Sequence, residues 1–404
     1  MSTRASLYVH APFCRAKCRY CAFFSAPTGS AGPDAPALSR YLSALEAEMN
    51  RQAQIFGRVA APTLFFGGGT PSLLGANALA RILAALRQRF DLAPDAEITL
   101  EANPDSAAPE LLRAARELGV NRLSLGVQSL DDAALKALGR VHTAAQVREA
   151  FHAARAAGFA NIGLDLIFGL PGQSVEGWLS TLRQAVDLRP EHLSCYGLTI
   201  EPGTPLAEDA TALAALPDED CQAEMFLRGS ELLEAAGYEH YEISNFAKLS
   251  GGVGQRCRHN MSCWRGEDVL AFGPAAVSTM AEETERVRWA NPPDLAEWEA
   301  LVLEGRAGQA GCEALSADIR ASEALMLALR TADGLDLNTY AATFGHDLRN
   351  THADLLIQLE RAGLTLLDEG RLRLTRAGML VSNSVIRALG FEFQEISANP
   401  ENSS

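Results

Sequence analysis

The sequence predicts an α/β protein: a partial (β/α)6 TIM-like barrel followed by a C-terminal helical, winged-helix-like domain. Three observations carry this. Six short apolar runs alternate with helical periodicities from residue 7 to residue 198. Glycine and polar residues cluster just after those runs. From about Ser316 the pattern changes to helices followed by a two-stranded ribbon. Strand–helix alternation implies a parallel sheet with right-handed crossovers. Six units fall short of the eight in a closed barrel, so the barrel is expected to be open, with its chemistry at the carboxyl ends of the strands.

The first run, Leu7-Tyr8-Val9-His10-Ala11, delivers a cysteine loop. Residues 25–36 are rich in Gly, Pro, Ser and Ala and read as loop. Helical spacing over 37–56 precedes the run 63–66, which ends in Gly67-Gly68-Gly69-Thr70-Pro71-Ser72. An apolar run bounded by glycine reads as a buried strand. Helices near 76–89, 108–118, 131–138, 144–157 and 174–187 separate the strands 97–101, 122–127, 162–167 and 192–198. A helix near 218–236 follows, closed by Gly237. The reading divides the chain into a barrel at 1–240, an extension over the barrel mouth at 241–310, a helical winged-helix-like domain at 311–391 and a tail at 392–404. In the third of these, helices near 319–330, 336–344 and 350–362 precede strands at 364–367 and 371–375 and a helix near 376–389.

Composition excludes several classes. At 404 residues with 48% hydrophobic and 21% charged residues, the chain has the make-up of a soluble globular protein. No run of eighteen apolar residues exists, so no membrane span is expected. The N-terminus has no signal-peptide pattern. A net charge of −15 and the absence of a basic run argue against nucleic acid. Eight cysteines, three clustered and five scattered, suggest a reducing cytoplasm and a metal site, not a disulfide framework.

The cluster is Cys14-x-x-x-Cys18-x-x-Cys21. Three thiolates on one loop can hold three corners of a cubane iron–sulfur cluster and leave one iron open. The alternatives are unrelated thiols or part of a zinc site. Zinc usually takes two close pairs of ligands, and no second pair is present. Polar residues then recur at strand ends: Glu101 in Glu-Ala-Asn-Pro-Asp, Gln128 in Gly-Val-Gln-Ser, Arg140 in Leu-Gly-Arg-Val-His, and Asp165 in Gly-Leu-Asp-Leu. Singly, each is as well explained by capping or surface polarity. Together they suit a zwitterionic, ribose-bearing ligand, which needs carboxylates for hydroxyls and an ammonium, and an arginine for a carboxylate. The glycine run is not a phosphate loop, because no Lys-Ser/Thr follows at the required distance.

These motifs, in this order from Tyr8 to Ser278, resemble the radical S-adenosylmethionine (SAM) superfamily, in particular the group around oxygen-independent coproporphyrinogen III oxidase. The resemblance implies a [4Fe-4S] cluster on Cys14, Cys18 and Cys21, with SAM chelating the open iron. It implies that Tyr8, Tyr20, Gly68, Gly69, Thr70, Glu101, Gln128, Arg140 and Asp165 line the SAM site. It further implies one-electron cleavage of the sulfonium to methionine and a deoxyadenosyl radical, with an electron donor such as flavodoxin or ferredoxin.

Within the group, the oxidases carry a fourth cysteine two positions after the third, where this chain has Phe23, and they begin with a longer N-terminal segment. Both departures resemble the HemW branch, which binds heme and passes it to recipient proteins. That branch has an H-N-x-x-Y-W motif; here His259-Asn260-Met261-Ser262-Cys263-Trp264 matches except that Cys263 replaces tyrosine. The motif makes His259 a candidate heme ligand and Trp264 a stacking partner, and a structural His-Asn turn explains it equally well. A G-A-H-S stretch of the branch reads Ala275-Ala276-Val277-Ser278, without the histidine. Two other functions stay open: decarboxylation of coproporphyrinogen propionates, and another radical SAM reaction on a tetrapyrrole.

Overall fold

The computed structural model describes residues 3–250, 253–281, 285–306 and 311–390. The expected tail at 392–404 lies outside them, as do parts of the 241–310 extension. The chain forms two compact units, one running to Cys263 and resuming at Glu267–Leu315, the other comprising Trp264–Gly266 and the residues from Ser316 onward.

All six expected strands form in the first unit: β1 (Ser6–Ala11), β2 (Ala60–Gly68), β3 (Asp91–Ala102), β4 (Arg122–Gln128), β5 (Ile162–Phe168) and β6 (His192–Gly197). They pair in parallel, in chain order. Among the described residues β1 and β6 do not pair, so the sheet is open. Alternation divides each strand between two faces. Leu7, Val9, Leu64, Phe66, Leu100, Leu123, Leu164 and Leu193 are buried in the main core. Tyr8, Thr63, Glu97, Glu101, Arg122, Ser124, Asp165 and His192 occupy the opposite face, which is polar.

The crossover helices are α1 (Ala35–Phe56), α2 (Gly75–Arg89), α3 (Pro109–Glu117), α4 (Asp132–Ala137), α5 (Ala144–Ala156) and α6 (Val175–Asp187). Their starts are written in the sequence. Asp34 caps α1 by accepting from the Ala37 N–H at 2.7 Å. Thr143 and Gln146 form a reciprocal capping box at α5. Each such cap contributes about 1 kcal/mol.

The glycine run does more than bare a backbone to a ligand. Ala11 pairs with Gly68 in the β1–β2 register. A Cβ on Gly68, whose φ is +106°, would stand 2.7 Å from the His10 ring. The N–H of Gly69 donates to Ala11 O and that of Thr70 to Phe13 O, both at 2.8 Å. Pro71 then opens a single 3-10 turn, Pro71–Leu74.

The extension departs from expectation. Its described residues 245–259 do not arch over the mouth but lie toward the amino ends of the strands. Strand Asn245–Ser250 adds antiparallel to β6 and runs toward the amino end of that strand. Strand Val269–Phe272 adds parallel to the outer edge of β1, Val269 facing Ser6. Between them, helix α7 (Arg258–Trp264) meets the amino halves of β2 and β3. There the Glu97 carboxylate accepts from the backbone N–H groups of Arg258 (3.1 Å) and His259 (3.0 Å). A carboxylate on unpaired N–H groups at a helix start is favourable by about 1–3 kcal/mol. The apolar spacing of β-strands says nothing of where a non-local partner lies, which is why these edge strands escape a sequence reading.

In the second unit, α8 (Ala317–Leu329), α9 (Leu337–Phe344) and α10 (Ala353–Arg361) precede the antiparallel pair Thr365–Asp368 and Arg371–Leu374. Short strand Leu335–Asp336 adds to that ribbon. Two expected helices are each broken in two: a separate turn at Leu348–Thr351 precedes α10, and the last divides at Val381 into Arg376–Leu380 and Ser382–Ala388. His352 (φ −130°) and Val381 (φ −111°) leave helical geometry at the breaks. Among the described residues no helix is long and apolar enough to cross a membrane.

Gly68→Ala is expected to destabilise the first unit by about 2 kcal/mol or more, since it combines a left-handed φ with a clash against His10. Urea unfolding measures this; an alanine variant as stable as the parent contradicts the packing described.

Candidate functional site

The cysteine loop hangs between β1 and α1 and is pinned from several sides. His10 Nε2–H donates to Phe24 O at 3.1 Å, fixing the residues after Cys21. The other ring nitrogen then accepts from the Tyr8 hydroxyl at 3.3 Å. Arg15 pairs with Asp105 (3.0 Å) and Arg19 with Asp209 (2.6 Å). Both pairs are partly exposed and screened by solvent, so they orient the loop more than they stabilise it. The backbone of Arg19 is also held, its N–H on Leu138 O and its C=O by Leu206 N–H.

Cys14, Cys18 and Cys21 are half-buried and unpaired, and all three line one cavity of about 650 Å³. Among the described residues no three His, Cys, Asp or Glu side chains converge on a single ion. A mononuclear zinc site needs that convergence at about 2.3 Å. Three free thiols lining one cavity suit a polynuclear cluster. Burial pushes the Cys14 and Cys21 thiols up from their ordinary range, so metal uptake there releases protons.

The same cavity is lined by Tyr20, Gly68, Gly69, Thr70, Glu101, Gln128, Arg140 and Asp165. The strand ends thus bring together eight of the nine residues expected at a SAM site. Tyr8, the ninth, does not line the cavity; its ring is part-buried beside Phe65, and burial followed by the Glu101 charge pushes its hydroxyl up. Glu101 and Asp165 form a pair of buried acids. Burial, then the Asp165 charge, raises Glu101 to about 8. Burial likewise raises Asp165, which accepts from Ser124 Oγ at 3.1 and 3.2 Å. Gln128 reaches the cavity from a bulge where β4 slips register against β5, at φ +66°. A non-glycine residue there costs about 1–3 kcal/mol, a strain found mainly at functional sites.

Asn103, which the sequence reading quoted but did not assign, stands at the centre of the positive side. Its Oδ1 accepts from Arg140 Nη2 at 2.6 Å, and its Nδ2 donates to Thr70 Oγ1 at 3.0 Å. Arg140 Nη1 lies 3.4 Å from Cys18 Sγ, and Thr70 Oγ1 3.4 Å from Cys14 Sγ. Such a role is a relation between strand ends far apart in sequence, with no local signature.

His259 is a correction to expectation. It does not line the cavity. It is 6% exposed at the floor, its Nδ1 2.9 Å from Thr63 Oγ1 and its ring 5.0 Å from that of Phe65. Phe65 and Tyr8 lie between it and the strand ends. Burial, then the nearby Arg122 guanidinium, lowers its pKa to about 4. The neutral, enclosed imidazole pins Thr63 in this fold. Val277, by contrast, is exposed.

The fold and the cavity define a radical SAM protein: the family model "Radical SAM superfamily" matches residues 8–185, and "HemN C-terminal domain" matches residues 315–381. "Heme chaperone HemW" of Mycobacterium tuberculosis H37Rv is 35% identical over 95% of this chain and 94% of its own. The Escherichia coli K12 protein of the same name is 42% identical over 67% of this chain and 69% of its own. The mouse "Radical S-adenosyl methionine domain-containing protein 1, mitochondrial" is 35% identical over 98% and 89%. The structure of the coproporphyrinogen III oxidase HemN from Escherichia coli, a radical SAM enzyme, superposes with a TM-score of 0.81 over 96% of this chain and 91% of its own, at 26% identity. The chain belongs to the HemW-type group of the radical SAM superfamily. Membership of that superfamily implies a [4Fe-4S] cluster and SAM, and the free thiols and acid pair fit both.

The floor predicts a pH dependence. His259 stays neutral in the fold, while in the unfolded chain it protonates near its ordinary 6.5. Below that pH the unfolded state binds a proton the fold excludes, so stability is full above about 6.5 and falls toward pH 4, by up to about 3 kcal/mol. Denaturant titrations across this window are expected to show a shallower acid loss for His259→Gln than for the parent. Equal slopes contradict the pin.

Proposed function

We propose that the protein binds a [4Fe-4S] cluster through Cys14, Cys18 and Cys21, holds SAM at the open iron, and carries heme to recipient proteins. The observation that carries the first part is the meeting of three free thiols, an acid pair and Arg140 in one cavity. When bound, the reduced cluster supplies one electron to the sulfonium of SAM. The chain's own residues position and shield. Glu101 and Asp165 offer carboxyl oxygens to hydroxyls and cationic groups. Gly68 and Gly69 keep the wall free of side chains, and Tyr20 packs against Leu138, Ile167 and Leu170 to close the loop side.

Heme carriage is supported by kinship with proteins named heme chaperones. It is also supported by the mouth, where Phe23 (71% exposed) and Tyr196 (41%) offer aromatic surface of the kind a macrocycle stacks on. Phe23 occupies the position of the oxidases' fourth cysteine. All eight cysteines are free, as a reducing cytoplasm requires, and a flavodoxin or ferredoxin is the class of donor that would reduce the cluster. The likeness to the oxidase structure over nearly the whole chain favours a second reading, decarboxylation of a porphyrinogen.

Anaerobic reconstitution is expected to load about four irons per chain, as one such cluster needs. Single Cys14→Ser, Cys18→Ser and Cys21→Ser variants are expected to lose most of that iron. The loaded protein should then bind heme in an absorbance titration, yield it to an apo-recipient, and leave coproporphyrinogen III unchanged in the presence of SAM and reductant. Protoporphyrinogen and carbon dioxide as products overturn carriage in favour of the oxidase; a loaded protein that takes up no heme overturns it outright.

A further inference from the structure

The thiol cavity contains a hydrogen-bond relay whose direction is forced. A guanidinium has donors only, so the Asn103 atom 2.6 Å from Arg140 Nη2 must be the carbonyl oxygen. The other end of the amide is then the NH2 group, which donates to Thr70 Oγ1 at 3.0 Å. A Cys14 thiolate that ligates a cluster carries no proton, so the Thr70 hydroxyl is then the donor to Cys14 Sγ at 3.4 Å. Arg140 Nη1 meanwhile faces Cys18 Sγ at 3.4 Å, and Nη2 also donates to Gly126 O at 2.7 Å.

We propose that Asn103 is a positioning residue for the cluster: the polarity of its amide aims one donor at Cys14 and another at Cys18. Two independent features hold it in place. Its own backbone is fixed by Ser106, whose hydroxyl accepts from the Asn103 N–H at 3.2 Å and donates to its C=O at 3.0 Å. Gly126 beneath the pair has no room for a side chain, since a Cβ there would stand 2.7 Å from Asn103 Oδ1. Asn103 touches no thiol. It acts through Thr70 and Arg140, and the proposal rests on the cluster reading given above.

Hydrogen bonds to ligating sulfur stabilise the reduced, more negative cluster and raise its potential. Asn103→Asp replaces the NH2 donor with an acceptor. The Thr70 hydroxyl then turns to donate to the new carboxylate and Cys14 loses its bond. The midpoint potential of the reconstituted cluster, followed by electron paramagnetic resonance without SAM, is expected to fall in Asn103→Asp and in Thr70→Val. Thr70→Ser should keep the parent value. Thr70→Val placed in the Asn103→Asp background should cause no further fall. Gly126→Ala keeps every relay side chain but displaces Oδ1, and it too should lower the potential. Parent-like potentials in Thr70→Val and Gly126→Ala overturn the relay, as does full additivity of Asn103→Asp with Thr70→Val. A parent chain that takes up no four-iron cluster overturns the reading beneath it, which the iron content of the parent reports separately.

Discussion

The close approach of β1 to β2 is the constraint on which the cavity depends. Gly68 leaves no side chain, so the His10 ring lies directly over it. That contact sets His10 to reach Phe24 on one side and Tyr8 on the other. It also brings the N–H groups of Gly69 and Thr70 onto the backbone leading into Cys14. The thiol and hydroxyl that meet at Cys14 and Thr70 are therefore placed by backbone contacts, before any ligand contributes. A glycine that a motif search assigns to ligand binding is here first a packing residue, and the wall it leaves smooth is a by-product of that packing.

The polar face of the open sheet works in two layers. At the carboxyl ends, Glu101 and Asp165 face a cavity that Arg140 also lines. At the amino ends, Glu97, Arg122 and His192 are sealed by residues 257–259 and Tyr241, whose hydroxyl meets His192 Nε2 at 2.8 Å. A buried guanidinium such as Arg122 is tolerated because carboxylates lie near it, and burial, reinforced by its field, keeps His192 and His259 neutral. The two layers share a strand face but obey different rules, one lining a cavity and the other sealed by side chains.

The parts of this arrangement legible in sequence were those with local signatures. Short apolar runs located six strands, and helical periodicity located the helices between them, because both patterns arise within a few residues. The cysteine spacing and the polar residues at strand ends located the cavity, because a parallel sheet sends all its strand ends one way. What failed was non-local. Nothing in Asn245–Ser250 or Val269–Phe272 says which sheet edge each joins. Nothing in His259-Asn260 distinguishes an exposed ligand from an imidazole clasped by Thr63, since that depends on a residue nearly two hundred positions earlier. Asn103 was visible only as part of a turn motif, and its donor and acceptor ends acquire meaning only once Arg140 and Thr70 converge on it.

The segment that joins the two sheet edges has a mechanical consequence. One of its strands is bonded to β6 and another to β1, and Glu97 grips its middle. It therefore behaves as a tie-rod across the base of an open fan. Both edges of the sheet are thus held by backbone bonds to residues that contribute nothing to the cavity wall.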